Sequence, residues 1–202
     1  MKTLYYVHDP MCSWCWAFRP AWQELQNRLP ANIELRYLLG GLAPDSQAPM
    51  SPAMQQEIRN HWKTIQKQVP GIIFNFEFWQ QNTPRRSTYP ACRAVIAAKN
   101  QDESLEDAMI QAIQTAYYLQ AENPSDDVVL IHCAENLGLG ISRFKQDLHD
   151  PATVEQLFRE IRLAQSMQIF SFPSLVLQSD SVIRNIHIDY LDADKMLSQL
   201  TA

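Results

Sequence analysis

The first apolar run of the chain is short and unbroken. Thr3-Leu4-Tyr5-Tyr6-Val7 mixes β-branched, aliphatic and aromatic residues with no breaker, the pattern of a buried strand. Asp9-Pro10 then marks a turn. From Cys12 to Arg28 no glycine interrupts, and Pro20 falls early enough to bend a helix rather than end it. Ile33 to Leu39 alternates as a second strand, and Gly40-Gly41 stops it. Strand, helix and strand at this spacing predict a right-handed parallel βαβ unit.

Between Pro44 and about Gln168 the period becomes helical. Ser104-Leu105-Glu106-Asp107 has the form of a capping box. Leu105, Ala108, Met109, Ala112, Ile113, Ala116 and Tyr117 follow it at i, i+3/i+4 spacing. Asn123-Pro124 introduces a shorter helix from Asp126 to Leu137, ended by Gly138. A third runs from Thr153 to about Met167, with Val154, Leu157, Phe158, Ile161 and Ala164 expected on its inner face. Strand character returns at Ser174 to Leu177 and at Val182 to Ile188, joined by a polar Gln178-Ser179-Asp180-Ser181 turn suited to a hairpin. Asp192 is placed to cap a last helix with Met196, Leu197 and Leu200 inward. The order is βαβ, a helical block, then ββα. This predicts an α/β domain made of residues 1–44 and 169–202, with a helical domain, 45–168, inserted between its halves.

Cys12-Ser13-Trp14-Cys15 opens the first helix. Thiols three residues apart on a helical turn share a face, with Cβ atoms roughly 5–6 Å apart, close enough to bridge after small adjustment. The unpaired N–H groups of the helix end favour a thiolate at the first of them. Zinc would need two further ligands, and no second C-x-x-C or H-x₃₋₅-H supplies them. Covalent haem attachment needs His after the second Cys, where Trp16 stands. A dithiol that cycles is the reading that remains strongest. Cys92 and Cys133 fall on apolar helical faces, where unpaired Cys is most often inert packing, with a third redox thiol the weaker reading of Cys92. His61, His132, His149 and His187 have no partner at metal or triad spacing.

Composition narrows the setting. The chain has 202 residues, is 46% hydrophobic, and holds five glycines and no low-complexity run, as a folded protein would. Net charge is −5, and no basic cluster exceeds Arg85-Arg86, which argues against nucleic acid as a partner. No apolar stretch reaches membrane-span length, and Met1-Lys2 is not followed by an apolar signal core. A cytoplasmic protein is expected, and four cysteines in this length are not a disulfide scaffold.

Asp9-Pro10-Met11-Cys12-Ser13-Trp14-Cys15 resembles the active-site segment of the DsbA-like branch of thioredoxin-fold proteins, which carry a helical domain inserted at this point. Phe172-Pro173, just before the third strand, matches the place of that family's cis-proline facing the dithiol. Ser87-Thr88-Tyr89-Pro90-Ala91-Cys92-Arg93-Ala94-Val95 and Phe172-Pro173-Ser174-Leu175-Val176-Leu177 look most like a cytoplasmic subgroup of predicted protein-disulfide isomerases. The resemblance implies a thioredoxin fold and thiol–disulfide exchange in which Cys12 attacks, Cys15 resolves and Pro173 faces both. Ser13, Trp14 and Phe172 are the implied substrate-side residues. Protein or small-molecule disulfides are the implied substrates, with no cofactor beyond glutathione as reductant or co-substrate, or a thioredoxin-type reductant.

Two departures matter. Strongly oxidising members place a His between the cysteines, whereas Ser13-Trp14 carries no charge, so a more reducing poise is expected. Relatives often bury an acid six residues before the first Cys; here that position is Tyr6, with His8 and Asp9 as nearer polar candidates. A glutathione-dependent isomerase or transferase is the alternative, because hydroxychromene-carboxylate isomerases and kappa-class glutathione transferases share the inserted fold. Those relatives typically carry Ser at the position of Cys12. A weaker option is a binding module whose dithiol only senses redox state.

Overall fold

A computed structural model describes residues 2–180 and 182–201. Four strands form one sheet in the order β2-β1-β3-β4. They are β1 (Lys2–His8), β2 (Ile33–Leu39), β3 (Ser174–Ser179) and β4 (Val182–Ile186). β1 pairs parallel with β2 from Lys2 opposite Ile33 to His8 opposite Leu39. On its other side β1 pairs antiparallel with β3, Tyr6 opposite Leu175 and Val7 opposite Ser174. The sheet therefore joins the start of the chain to its end, and α/β with a thioredoxin fold is the architecture observed.

The period of two in β1 is spent on two covers. Leu4 and Tyr6, with Leu175 and Leu177, pack beneath α1 (Ser13–Asn27) and α9 (Ala193–Thr201), whose Phe18, Trp22, Leu25, Met196 and Leu200 fill that layer. Tyr5 and Val7, with Leu38 and Val176, meet Ala164 of α8 (Pro151–Ser166), Met167 and Ile169. α1 runs through Pro20 without ending. Asp192 accepts from the N–H of Asp194 at 2.9 Å, so it opens α9 as expected.

Between β2 and β3 the chain is helical: α2 (Pro52–Gln68), α3 (Phe78–Gln81), α4 (Tyr89–Lys99), α5 (Glu106–Tyr118), α6 (Asp127–Asn136), α7 (Ile141–His149) and α8. Trp62 of α2 is buried at the centre of this block, with the rings of Phe74, Trp79, Tyr117 and Tyr118 4.8 to 5.7 Å from its own. The same apolar cluster includes Met11, Ala17 and Leu39, so the block and the dithiol segment share a core. No helix among the described residues is long and apolar enough to cross a membrane.

Three local expectations are corrected. Ser104 does not cap α5: it sits in a 3-10 turn, Glu103–Leu105, and Asp102 accepts from its N–H and hydroxyl at 2.9 and 2.7 Å. Asp102 lies in extended backbone with its carboxylate turned onto the Ser104 N–H, so it caps the 3-10 turn, and α5 starts from Leu105 with no side-chain cap. On α8 the buried stripe is Thr153, Leu157, Ile161 and Ala164, while Phe158 is exposed and lays its ring edge on Tyr89. The hairpin is also tighter than expected. β3 extends to Ser179, opposite Val182, and Asp180 takes a positive φ of 53° in the turn. Ser181 lies outside the described residues, and His187 falls just beyond β4.

Candidate active site

β1 delivers the chain to a turn at Asp9-Pro10-Met11, and that turn aims the first cysteine. The N–H of Cys12 bonds to the Asp9 carbonyl at 3.0 Å, and the Cys12 carbonyl accepts from Trp16 at 3.1 Å. Cys12 is thus the N-cap residue of α1, in extended backbone, with its sulfur beside the free N–H groups of the helix end. All four cysteines are free thiols. Cys12 is 7% exposed and Cys15, one turn in, is 1% exposed.

The second landmark meets the first. The Phe172–Pro173 peptide is cis, and its carbonyl oxygen accepts from the Cys12 thiol at 3.4 Å across 160 residues of sequence. Gly40, at the exit of β2, makes room for this loop: a Cβ there would lie 2.0 Å from the Phe172 ring. Its N–H bonds to the His8 carbonyl at 2.7 Å, so β1, β2 and the proline loop close on one point. From the helical block, the Tyr118 hydroxyl donates to the Met11 carbonyl at 2.7 Å and steadies the same turn.

The electrostatics separate the two thiols of the motif. Burial pushes Cys15 well above the usual thiol range, and its hydrogen bond to Cys12 pushes the same way, against a backbone N–H of Asp9 that favours the anion. Tyr6, standing where relatives often bury an acid, is also held protonated, first by burial and then by the nearby cysteine sulfurs. His8 is fully buried against Tyr6 and Tyr37, and desolvation lowers its pKa to about 3.

Asp9 is the better connected of the two polar candidates. Its carboxylate is fully buried and accepts from Met11 N at 2.8 Å, Leu42 N at 2.7 Å and the Thr88 hydroxyl at 2.6 Å. It also accepts from the Cys92 thiol at 3.5 Å. Burial raises its pKa, and these bonds oppose the rise. Burial and the adjacent Asp9 in turn raise that of Cys92. This thiol stands behind the dithiol and is closed to solvent.

In front of the dithiol lies a cleft of about 320 Å³ between α1, the proline loop and the helical block. Cys12, Ser13, Trp14 and Phe172 line it, and Cys15 is set behind them. Pro173 faces a neighbouring groove with Phe170, Leu175 and Asn185. Among the cleft residues that escape sequence reasoning are His61 from α2, and Arg85 and Arg86 from the segment before α4. The arginine pair is visible in the sequence only as a charge cluster, and nothing local connects it to Cys12. Trp14 rests its ring edge-on against Tyr190, whereas Trp16 stacks on Tyr118 and donates to the Ile73 carbonyl, a packing role. Among the described residues no cluster of His, Cys, Asp or Glu could hold a metal ion.

Comparison with known proteins agrees with this geometry. The family model described as thioredoxin matches residues 5–196. A protein of Nitrosomonas europaea, described as a candidate protein disulfide isomerase, superposes with a TM-score of 0.88 at 26% identity, covering 99% of this chain and 96% of that one. The cytosolic disulfide reductase DsbM of Pseudomonas aeruginosa, solved also with GSH, shares the fold at a TM-score of 0.78 and 24% identity, over 98% and 97% of the two chains. In sequence the chain is 26% identical over 183 residues to the ClpXP adapter protein SpxH of Halalkalibacterium halodurans. The match takes in 89% of this chain and spans 59% of that relative.

Proposed function

Because the chain belongs to the thioredoxin family, we propose that it is a thiol–disulfide oxidoreductase acting through Cys12 and Cys15 on protein or small-molecule disulfides. The observation that carries the reading is the 3.4 Å bond from the Cys12 thiol to the Phe172 carbonyl. It brings the more exposed thiol, a helix N-terminus and the proline loop together at the mouth of a cleft. Cys12, as the thiolate, attacks one sulfur of a substrate disulfide; the S–S bond breaks, and the other sulfur leaves and takes up a proton. Cys15 keeps its own proton through this step, because burial opposes its ionisation. It then releases the proton and attacks the Cys12 sulfur, and the remaining substrate sulfur departs as a thiol. Two electrons and two protons pass to the substrate, and the protein is left with a Cys12–Cys15 disulfide.

Pro173 supports the exchange by offering no N–H to compete for the sulfurs. Ser13, Trp14 and Phe172 form the substrate side. A low-molecular-weight thiol such as glutathione, or a thioredoxin-type reductant, returns the dithiol. The uncharged Ser13-Trp14 pair suits a reducing poise, and a cytoplasmic setting is supported by the cytosolic DsbM neighbour, solved also with GSH. A second reading is favoured by the name of the SpxH relative: a protein adapter in which the same fold binds a partner polypeptide. Trapping separates the two. Cys15→Ser is expected to hold disulfide adducts on Cys12 that added reductant releases, while the wild type turns over. Absence of adducts, with partner binding indifferent to Cys12→Ser, would support the adapter instead.

A further inference from the structure

The cleft in front of Cys12 is an electrostatic exception in this molecule. The chain carries 22 acidic and 17 basic side chains, yet no Asp or Glu lines the cleft, and His61, Arg85 and Arg86 do. The two arginines are not equivalent. Arg85 has its charge paired: its Nη2 donates to the Ser125 carbonyl at 2.8 Å and pairs with the Asp126 carboxylate, while its buried Nε has no hydrogen-bond partner among the described residues. Arg86 is half-buried at the cleft wall and makes no hydrogen bond or ion pair with any described residue. An unpaired guanidinium held against apolar walls is a site for a carboxylate, which it grips through two parallel N–H bonds.

Resting on the exchange reading above, we propose that Arg86 is the specificity-determining residue of this cleft, selecting small thiols and disulfides that carry carboxylate groups. The volume favours a small molecule. About 320 Å³ is near the lower end of the roughly 300–1,000 Å³ typical of small-molecule sites. Its walls offer what such a ligand needs: Trp14, Met50, Ile58 and Phe172 give apolar contact, and Arg85 and Arg86 bring the guanidinium groups. The sulfur of the ligand meets Cys12 while its carboxylate pairs with Arg86. Arg85 shapes the wall without offering its charge, because Asp126 neutralises it.

The test compares two disulfides on the full, reduced protein: oxidised glutathione, which is anionic, and bis(2-hydroxyethyl) disulfide, which is neutral. The quantity read is the ratio of their second-order rate constants for oxidising the Cys12–Cys15 pair. A charge-assisted contact of this kind is worth roughly tenfold or more. The wild-type ratio should therefore fall about tenfold in Arg86→Gln, and Arg86→Lys should keep much of it. Raising the salt concentration should lower the wild-type ratio and leave that of Arg86→Gln nearly flat. Because each protein is its own control, a general loss of folding or thiol reactivity leaves the ratio untouched. An unchanged ratio in Arg86→Gln overturns the proposal while the exchange reading stands. A wild type inert to both disulfides sinks that reading as well. A wild type that prefers an acidic peptide disulfide to oxidised glutathione overturns the choice of a small ligand.

Discussion

Cys12 and Cys92 both bond to Asp9, the first through its backbone N–H to the Asp9 carbonyl at 3.0 Å, the second from its thiol to the Asp9 carboxylate at 3.5 Å. From that shared residue they part. Cys12 opens a helix at the edge of a cleft, with its sulfur bonded to a loop carbonyl that an incoming sulfur can displace. Cys92 lies inside α4, fully buried, with its thiol on the buried Asp9 carboxylate that also accepts from Thr88, Leu42 and Met11. The residue type is the same, so the difference lies in where each backbone ends and what surrounds each sulfur. An open site is held in place by a closed one directly behind it.

Removing each member in turn should break the pairing unequally. Cys12→Ser is expected to lose disulfide reduction by about a thousandfold or more, as loss of a covalent nucleophile does; a turnover assay of disulfide reduction with glutathione as reductant would show it, and retained turnover would return the glutathione-isomerase alternative. Asp9→Ala should act on stability, because two backbone N–H groups, a hydroxyl and a thiol lose their buried acceptor together. A loss of about 3–5 kcal/mol in urea unfolding is expected.

Glu160 extends the closed side to the end of β2, where its carboxylate accepts from Leu39 N at 2.9 Å. Burial raises its pKa from 4.5 to about 7. The sign follows from the raised folded value: the stabilisation is fully present below pH 4.5 and is lost as the pH climbs to about 7. Thermal midpoints should decline across that window by the equivalent of up to about 3 kcal/mol, and Glu160→Gln should remove the decline. Cys92→Ala is the mildest change. It should cost about 1–2 kcal/mol and leave turnover within about twofold of wild type, since a thiol that takes no part in exchange cannot be missed. A loss of turnover comparable to that of Cys12→Ser would erase the distinction between the two cysteines.

The open side was legible in the sequence and the closed side was not. Cys12 and Cys15 announce themselves through spacing, whereas Phe172-Pro173 and the joining of the two outer pieces into one sheet follow from the family resemblance. Asp9 stands in the sequence only as one of two polar candidates beside His8, because an Asp before a Pro is an ordinary turn residue until Thr88 and Leu42 are brought onto it from far along the chain. Arg85 and Arg86 failed for the same reason: a doublet on a connecting segment has no period, and only the folded helical block carries it to Cys12. Ser104 misled in the other direction. Its spacing to Asp107 satisfied a cap pattern that Asp102, two residues earlier, already fulfilled.

The 160 residues between Cys12 and the carbonyl it bonds to also set a clock. A ribosome adding about 5–20 residues per second releases Cys12 and Cys15 roughly 8–30 seconds before Phe172 exists. Through that interval the nascent chain presents two cysteines without the loop that later receives the first of them. β1 likewise waits for β3, its partner on one side. Synthesis thus makes the dithiol early and its loop partner late, in about the last seventh of the chain.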